Sequence, residues 1–156
     1  MKKSCLFIVF AFVLTACNKQ RVFEEFITLD DHSWNSSNIL RFNVSMTDSV
    51  QPYDVLICVR NLGEYEYSNL YLFVTANAPN GNSIRDTVEI TLADPRGKWL
   101  GKGAASIYTL YYPYRQNIRF PLRGIYTFEL EQAMWMKELN NITEIGLRID
   151  KSVTKP

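Results

Sequence analysis

Leu40-Arg41-Phe42-Asn43-Val44-Ser45-Met46 decides the reading of the fold. Its apolar residues take one parity and its polar residues the other, and a period of two places successive side chains on opposite faces of a β-strand. Working outward, the alternation recurs in Thr87-Val88-Glu89-Ile90-Thr91-Leu92, in Tyr126-Thr127-Phe128-Glu129-Leu130 and in Ile145-Gly146-Leu147-Arg148-Ile149-Asp150. Tyr53–Arg60 and Leu70–Ala76 are more continuously apolar, as strands near the middle of a sheet are, and Val22–Ile27 supplies a further strand.

Gln51-Pro52, Asn61-Leu62-Gly63, Ala78-Pro79-Asn80-Gly81, Ala93-Asp94-Pro95-Arg96-Gly97 and Leu122-Arg123-Gly124 separate these runs. Gly and Asn tolerate positive φ and Pro presets a turn, so each is a break with a mechanism. Seven or so strands follow, with short helical turns expected at Gly103–Ser106 and Ala133–Lys137. Such a series predicts an all-β fold, an antiparallel β-sandwich. Jelly-roll connectivity is preferred to immunoglobulin-like connectivity, because the irregular segment from Pro95 to Pro121 is long for a simple hairpin series.

The N-terminus carries a different signal. Lys2 and Lys3 precede the apolar stretch Ser4–Leu14, which is too short for a bilayer span of about 20 residues and has the flanks of a signal peptide. Leu14-Thr15-Ala16-Cys17 then reads as a lipobox: Leu14, Thr15 and Ala16 are the signal peptidase II recognition residues and Cys17 the lipidated one. The expected organisation is a signal peptide over 1–16, a lipidated N-terminus and short tether over 17–21, and one β-sandwich domain over 22–156. Each buried lipid methylene contributes roughly 0.8 kcal/mol, so two or more acyl chains hold a domain firmly at a membrane. No later segment is apolar for long enough to span.

Removal of residues 1–16 from the 156 leaves 140, enough for one sizeable core. It also takes the basic residues from 17 to 15 against 16 acids. A near-neutral chain with scattered Lys and Arg excludes nucleic acid as a partner, which needs a basic face, and suggests no second, electrostatic membrane contact. Of three cysteines only Cys58 remains, so no internal disulfide can form; within Val55-Leu56-Ile57-Cys58-Val59 it reads as a small buried hydrophobe.

Chemistry finds little to work with. The single histidine, His32, sits in Asp30-Asp31-His32-Ser33-Trp34 without distant partners, a solvated loop rather than a metal site. Gly97-Lys98-Trp99-Leu100-Gly101-Lys102-Gly103 lacks the phosphate-loop spacing, with Gly103 where Ser or Thr should hold magnesium; it reads as a tight loop with Trp99 over a core edge. No catalytic set, metal or cofactor is expected. The Tyr-rich segment offers more: Tyr108, Tyr111, Tyr112 and Tyr114 could form a partner or glycan surface, or pack on the sandwich and its rim.

Pro79-Asn80-Gly81 and the block Asp86–Gly103, with the lipobox, Tyr126-Thr127-Phe128-Glu129 and Ile142–Ile149, resemble the gliding-motility-associated lipoprotein family GldH of the Bacteroidota over essentially the whole chain. The resemblance implies a lipid-anchored, non-enzymatic envelope accessory protein linked to gliding motility and the associated secretion apparatus, with other envelope lipoproteins or machine components as partners. It carries no catalytic residues over. A carbohydrate-binding envelope lipoprotein using the Tyr-rich surface is the alternative. Asn18-Lys19-Gln20-Arg21 lacks both an Asp after the lipidated cysteine and an acidic export run, which favours an outer-membrane anchor facing the periplasm. Given that phylum, Ser49 in Asp48-Ser49-Val50 and Thr87 in Asp86-Thr87-Val88 match a short O-glycosylation pattern, Ser49 in a turn and Thr87 at a strand start.

Overall fold

The alternation at Leu40–Met46 becomes a strand whose Leu40, Phe42, Val44 and Met46 are buried while Arg41, Asn43 and Ser45 face solvent. In the computed structural model, which describes residues 20–153, eleven strands follow one another. They are β1 (Arg21–Thr28), β2 (Ser33–Asn35), β3 (Leu40–Met46), β4 (Tyr53–Leu62), β5 (Asn69–Asn77) and β6 (Ser83–Thr91). The series continues with β7 (Lys102–Ala104), β8 (Ile107–Ile118), β9 (Gly124–Gln132), β10 (Glu138–Asn140) and β11 (Ile142–Lys151). Leu14, Thr15, Ala16 and Cys17, the expected lipobox, lie outside the described residues, and β1 begins at Arg21, the last residue of the expected tether.

Two sheets face each other across one core. One runs β1-β11-β4-β8-β7 and the other β3-β9-β5-β6, all pairs antiparallel. Among the eight long strands the first pairs with the last (β1·β11), the second with the seventh (β3·β9), the third with the sixth (β4·β8) and the fourth with the fifth (β5·β6). A single long hairpin wound on itself gives that nesting, and it is the jelly roll. Phe42, Val55, Ile57, Leu72, Ile90, Leu130, Leu147 and Ile149 fill the space between the sheets, each 0% exposed. Burying such side chains contributes roughly 1.5–3 kcal/mol apiece.

The segment from Pro95 to Pro121 corrects the sequence reading, since it contains β7 and the 12-residue β8, the longest strand. Its pattern of exposure is broken rather than alternating because β7 covers only Ile107–Thr109. Beyond them β8 is an edge, where Pro113, which has no N–H to donate, is tolerated. Neither expected helical turn forms: Gly103 and Ala104 belong to β7, and 133–137 is a bent loop. Asn61 and Leu62 extend β4 instead of opening a turn.

Strand order gives the sandwich two unlike ends. At the end where Gln20 leads into β1, here the tether end, β4, β6 and β9 start and β3, β5, β8 and β11 finish. At the far end β2 and β10 pair as a two-stranded cap through Ser33↔Asn140, Trp34↔Leu139 and Asn35↔Glu138. The cap presses Trp34 and Leu139, 0% and 1% exposed, into the end of the core. Trp34 Nε1 donates to the Asn38 carbonyl at 2.9 Å, so burial leaves no polar atom of the indole unpaired.

Candidate functional site

Nucleophilic chemistry has a single described thiol to consider. Cys58 lies on the outer face of the five-stranded sheet, opposite Tyr111 on β8 and Gly146 on β11, and is buried. Burial, with the Glu24 carboxylate as a lesser cause, pushes its thiol up to about 12, so it stays protonated and is a poor nucleophile. The charges around it are already committed. Arg148 pairs with Asp150 at 2.7 Å and approaches Glu24 at 3.8 Å, with its guanidinium 5.5 Å from the Tyr111 ring. Arg60 pairs with Glu144 and lies 4.0 Å over Phe26. Gly146 permits that layer, because a Cβ there would meet the Phe26 ring at 2.8 Å.

His32 ends a 3-10 turn over Asp30–His32, exposed and at φ 54. Among the described residues no group of three His, Cys, Asp or Glu side chains is placed to hold a metal. In the glycine-containing loop, the Asp94 carboxylate accepts N–H bonds from Arg96 and Lys98 at 2.8 and 3.0 Å, and Gly97 turns at φ 81. Trp99 packs between Tyr65 and Tyr108, with ring centroids at 6.3 and 5.8 Å, as cover for the core edge.

The four tyrosines do not form one surface. Alternation along β8 sends Tyr112 and Tyr114 onto the core and Tyr108 against Trp99. Tyr111 alone looks out from the other face, under Arg148. Tyr114 is 9% exposed and its hydroxyl donates to Asp86; burial first, and then that bond, raise its pKa well above the usual tyrosine value. Ser49 lies in the loop between β3 and β4, where the Asp48 carboxylate accepts N–H bonds from Val50 and Gln51; these bonds hold that carboxyl below its ordinary pKa. Thr87 is exposed within the edge strand β6, four residues past its start.

The exposed feature that stands out is at the far end. Trp135 is 100% exposed and Met136 50%, on a loop fixed from both sides. The buried Gln132 amide donates to the Met136 carbonyl at 2.8 Å, and its Oε1 accepts the Met134 N–H at 2.9 Å. Ala133 N–H donates to Tyr71 and Ser36 N–H to the Lys137 carbonyl, both at 2.8 Å. Met134 packs on the core and accepts the Tyr71 N–H at its sulfur, 3.3 Å away. The loop therefore presents an indole and a thioether with little ordering left to do on contact. Three large apolar residues in a row, Met134-Trp135-Met136, were the signal for it, more than a turn requires.

A family described as GldH lipoprotein matches residues 21–149. The chain is 35% identical to a protein of Christiangramia forsetii named "Gliding motility lipoprotein GldH homolog", over 94% of this chain and 96% of that one. It is 28% identical to a Flavobacterium johnsoniae protein named "Gliding motility lipoprotein GldH", over 97% and 98%. Among solved structures, "Structure of infectious bursal disease virus Gt strain" aligns over 85% of this chain and 43% of that one at 8% identity, with a TM-score of only 0.16.

Proposed function

The chain belongs to the GldH lipoprotein family, and from that premise we propose that it is a non-enzymatic, lipid-anchored accessory protein of the cell envelope supporting gliding motility and the secretion machinery associated with it. Cys17 carries the lipid, in the outer membrane, and the domain faces the periplasm. It acts by contact, and the observation that carries this is the fully exposed Trp135 on a loop pinned by Gln132. Trp is the residue type most enriched among binding hot spots, and a preordered loop loses little entropy on docking. Other envelope lipoproteins or motility and secretion components are the partners in this reading. The non-enzymatic part is supported by the protonated Cys58 and by the isolation of His32. A Tyr-rich glycan surface is not part of it, since β8 divides those residues between faces.

Chromosomal replacement in the source bacterium tests the proposal. Deletion, Cys17→Ser and Trp135→Ala should each impair cell spreading or secretion through the associated apparatus, with the Trp135→Ala protein still folded and present at normal level. A deletion strain that spreads and secretes like the parent would overturn it.

A further inference from the structure

Between the sheets at the tether end lies a cavity of about 490 Å³, within the roughly 300–1,000 Å³ range of small-ligand sites. Its floor is apolar, built from Val55, Ala76, Phe120 and Phe128, with Ala78 and Leu122 higher on the wall. Phe120 packs edge-on against Tyr53, Tyr126 and Phe128, with centroids at 5.6, 4.9 and 6.3 Å. Cations sit only toward the rim. Arg115 is held by Asp86 at 2.7 Å, while Arg119 donates to the Val50 carbonyl at 2.9 Å and forms no ion pair among the described residues. Arg123 and Lys151 both lie close enough to Asp48 to stabilise its charge, so Arg119, Arg123 and Lys151 gather around the β3–β4 loop.

The same end is where the chain leaves for the membrane. Three Cα-to-Cα steps separate Cys17 from Gln20, a reach of at most about 10 Å, and the ends of β1 and β8 are three strand spacings, about 14 Å, apart. Ile84, 59% exposed, lines the opening, and Val50, Ile125 and Val153, 74%, 60% and 61% exposed, lie at the same end of the sandwich.

We propose that the tether end rests on the bilayer and that its cavity takes an acyl chain of a phospholipid from that bilayer, with Arg119, Arg123 and Lys151 against the phosphate. The proposal rests on the lipid-anchored reading of Cys17. It replaces the sequence expectation of no second, electrostatic membrane contact: cations scattered along the chain meet because antiparallel strand ends meet. An apolar floor with basic groups confined to the rim matches an amphiphile with an anionic head.

The test uses the full mature lipoprotein in vesicles of phosphatidylethanolamine and phosphatidylglycerol, with a benzophenone side chain introduced at Leu122 or, for comparison, at Trp135. Irradiation should yield a phospholipid adduct at Leu122 about ten-fold above that at Trp135. Filling the cavity with Ala78→Phe, or its rim with Ile84→Trp, should remove most of that adduct. Arg119→Glu with Arg123→Glu should lower it at least about five-fold. Equal yields at the two positions, adducts to protein or to the chain's own Cys17 acyl groups, or a Leu122 adduct indifferent to both filling variants would overturn the proposal. The intact mass of the same sample reports the Cys17 lipid separately. An unlipidated mass fails the anchoring reading, whereas a lipidated protein without adduct fails only this one.

Discussion

The two ends of the sandwich are closed by opposite means. At the far end β2 and β10, three residues each, press Trp34 and Leu139 into the core, and at the same end Tyr65, Trp99 and Tyr108 pack on one another. At the tether end no such cap exists among the described residues, and a cavity floored by Phe120 and Phe128 stays open. An uncovered apolar opening costs free energy in water. Leaving one end open while plugging the other makes physical sense if the open end meets something apolar. Under the two proposals above, function divides between the ends, with the tether end for the membrane and the far end, bearing Trp135, for a protein partner.

The contrast can be broken most directly at the plug. Trp34→Ala removes a fully buried indole from a tight fit and should cost about 3–5 kcal/mol, read as a lowered midpoint in urea unfolding. A loss below about 1 kcal/mol would mean that the cap does not close the core. Backbone comes next. Gly124, at φ 134 with Pro79 Cγ 2.9 Å from where a Cβ would stand, should lose about 1–3 kcal/mol as Gly124→Ala in the same assay. At the open end a side chain matters less: Leu122→Ala should cost under about 1 kcal/mol, because its neighbour is already a void. Smallest of all, Trp135→Ala should leave stability within about 0.5 kcal/mol of the parent, since the indole touches nothing it stabilises.

Cys58 gives an independent readout of the same order. With its thiol pushed up to about 12, the folded protein should resist a thiol reagent at pH 8, where an unfolded chain reacts. Trp34→Ala should speed labelling far more than Leu122→Ala. Rapid labelling of the native parent would contradict the burial of that face.

The sequence revealed the strands whose two faces differ in polarity, as at Leu40–Met46 and Tyr126–Leu130, because each residue there meets one environment. It hid β8, whose outer flank is covered by β7 only at Ile107–Thr109 and is bare beyond, so that exposure along it does not simply alternate. It hid β2 and β10 as well, since three residues hold too little pattern to register. The nesting of pairs was legible only as a preference, drawn from a segment taken to be irregular that proved to hold a strand. Both ends were illegible for one reason: Val50, Ile84, Arg119, Ile125 and Lys151 come to one end only when antiparallel strands bring distant turns together. Trp135 was visible as part of an apolar triplet, but nothing local to it indicates that Gln132 turns the indole outward.

Tryptophan fluorescence of the unaltered mature lipoprotein in vesicles tests the division between ends most directly. The chain's three tryptophans, Trp34, Trp99 and Trp135, all lie at the far end, and only Trp135 is fully exposed. With the tether end on the bilayer, iodide in the water should quench the Trp135 component while lipids brominated on their acyl chains leave the emission unchanged. Quenching by the brominated lipids, together with protection from iodide, would put the far end in the membrane and contradict the account.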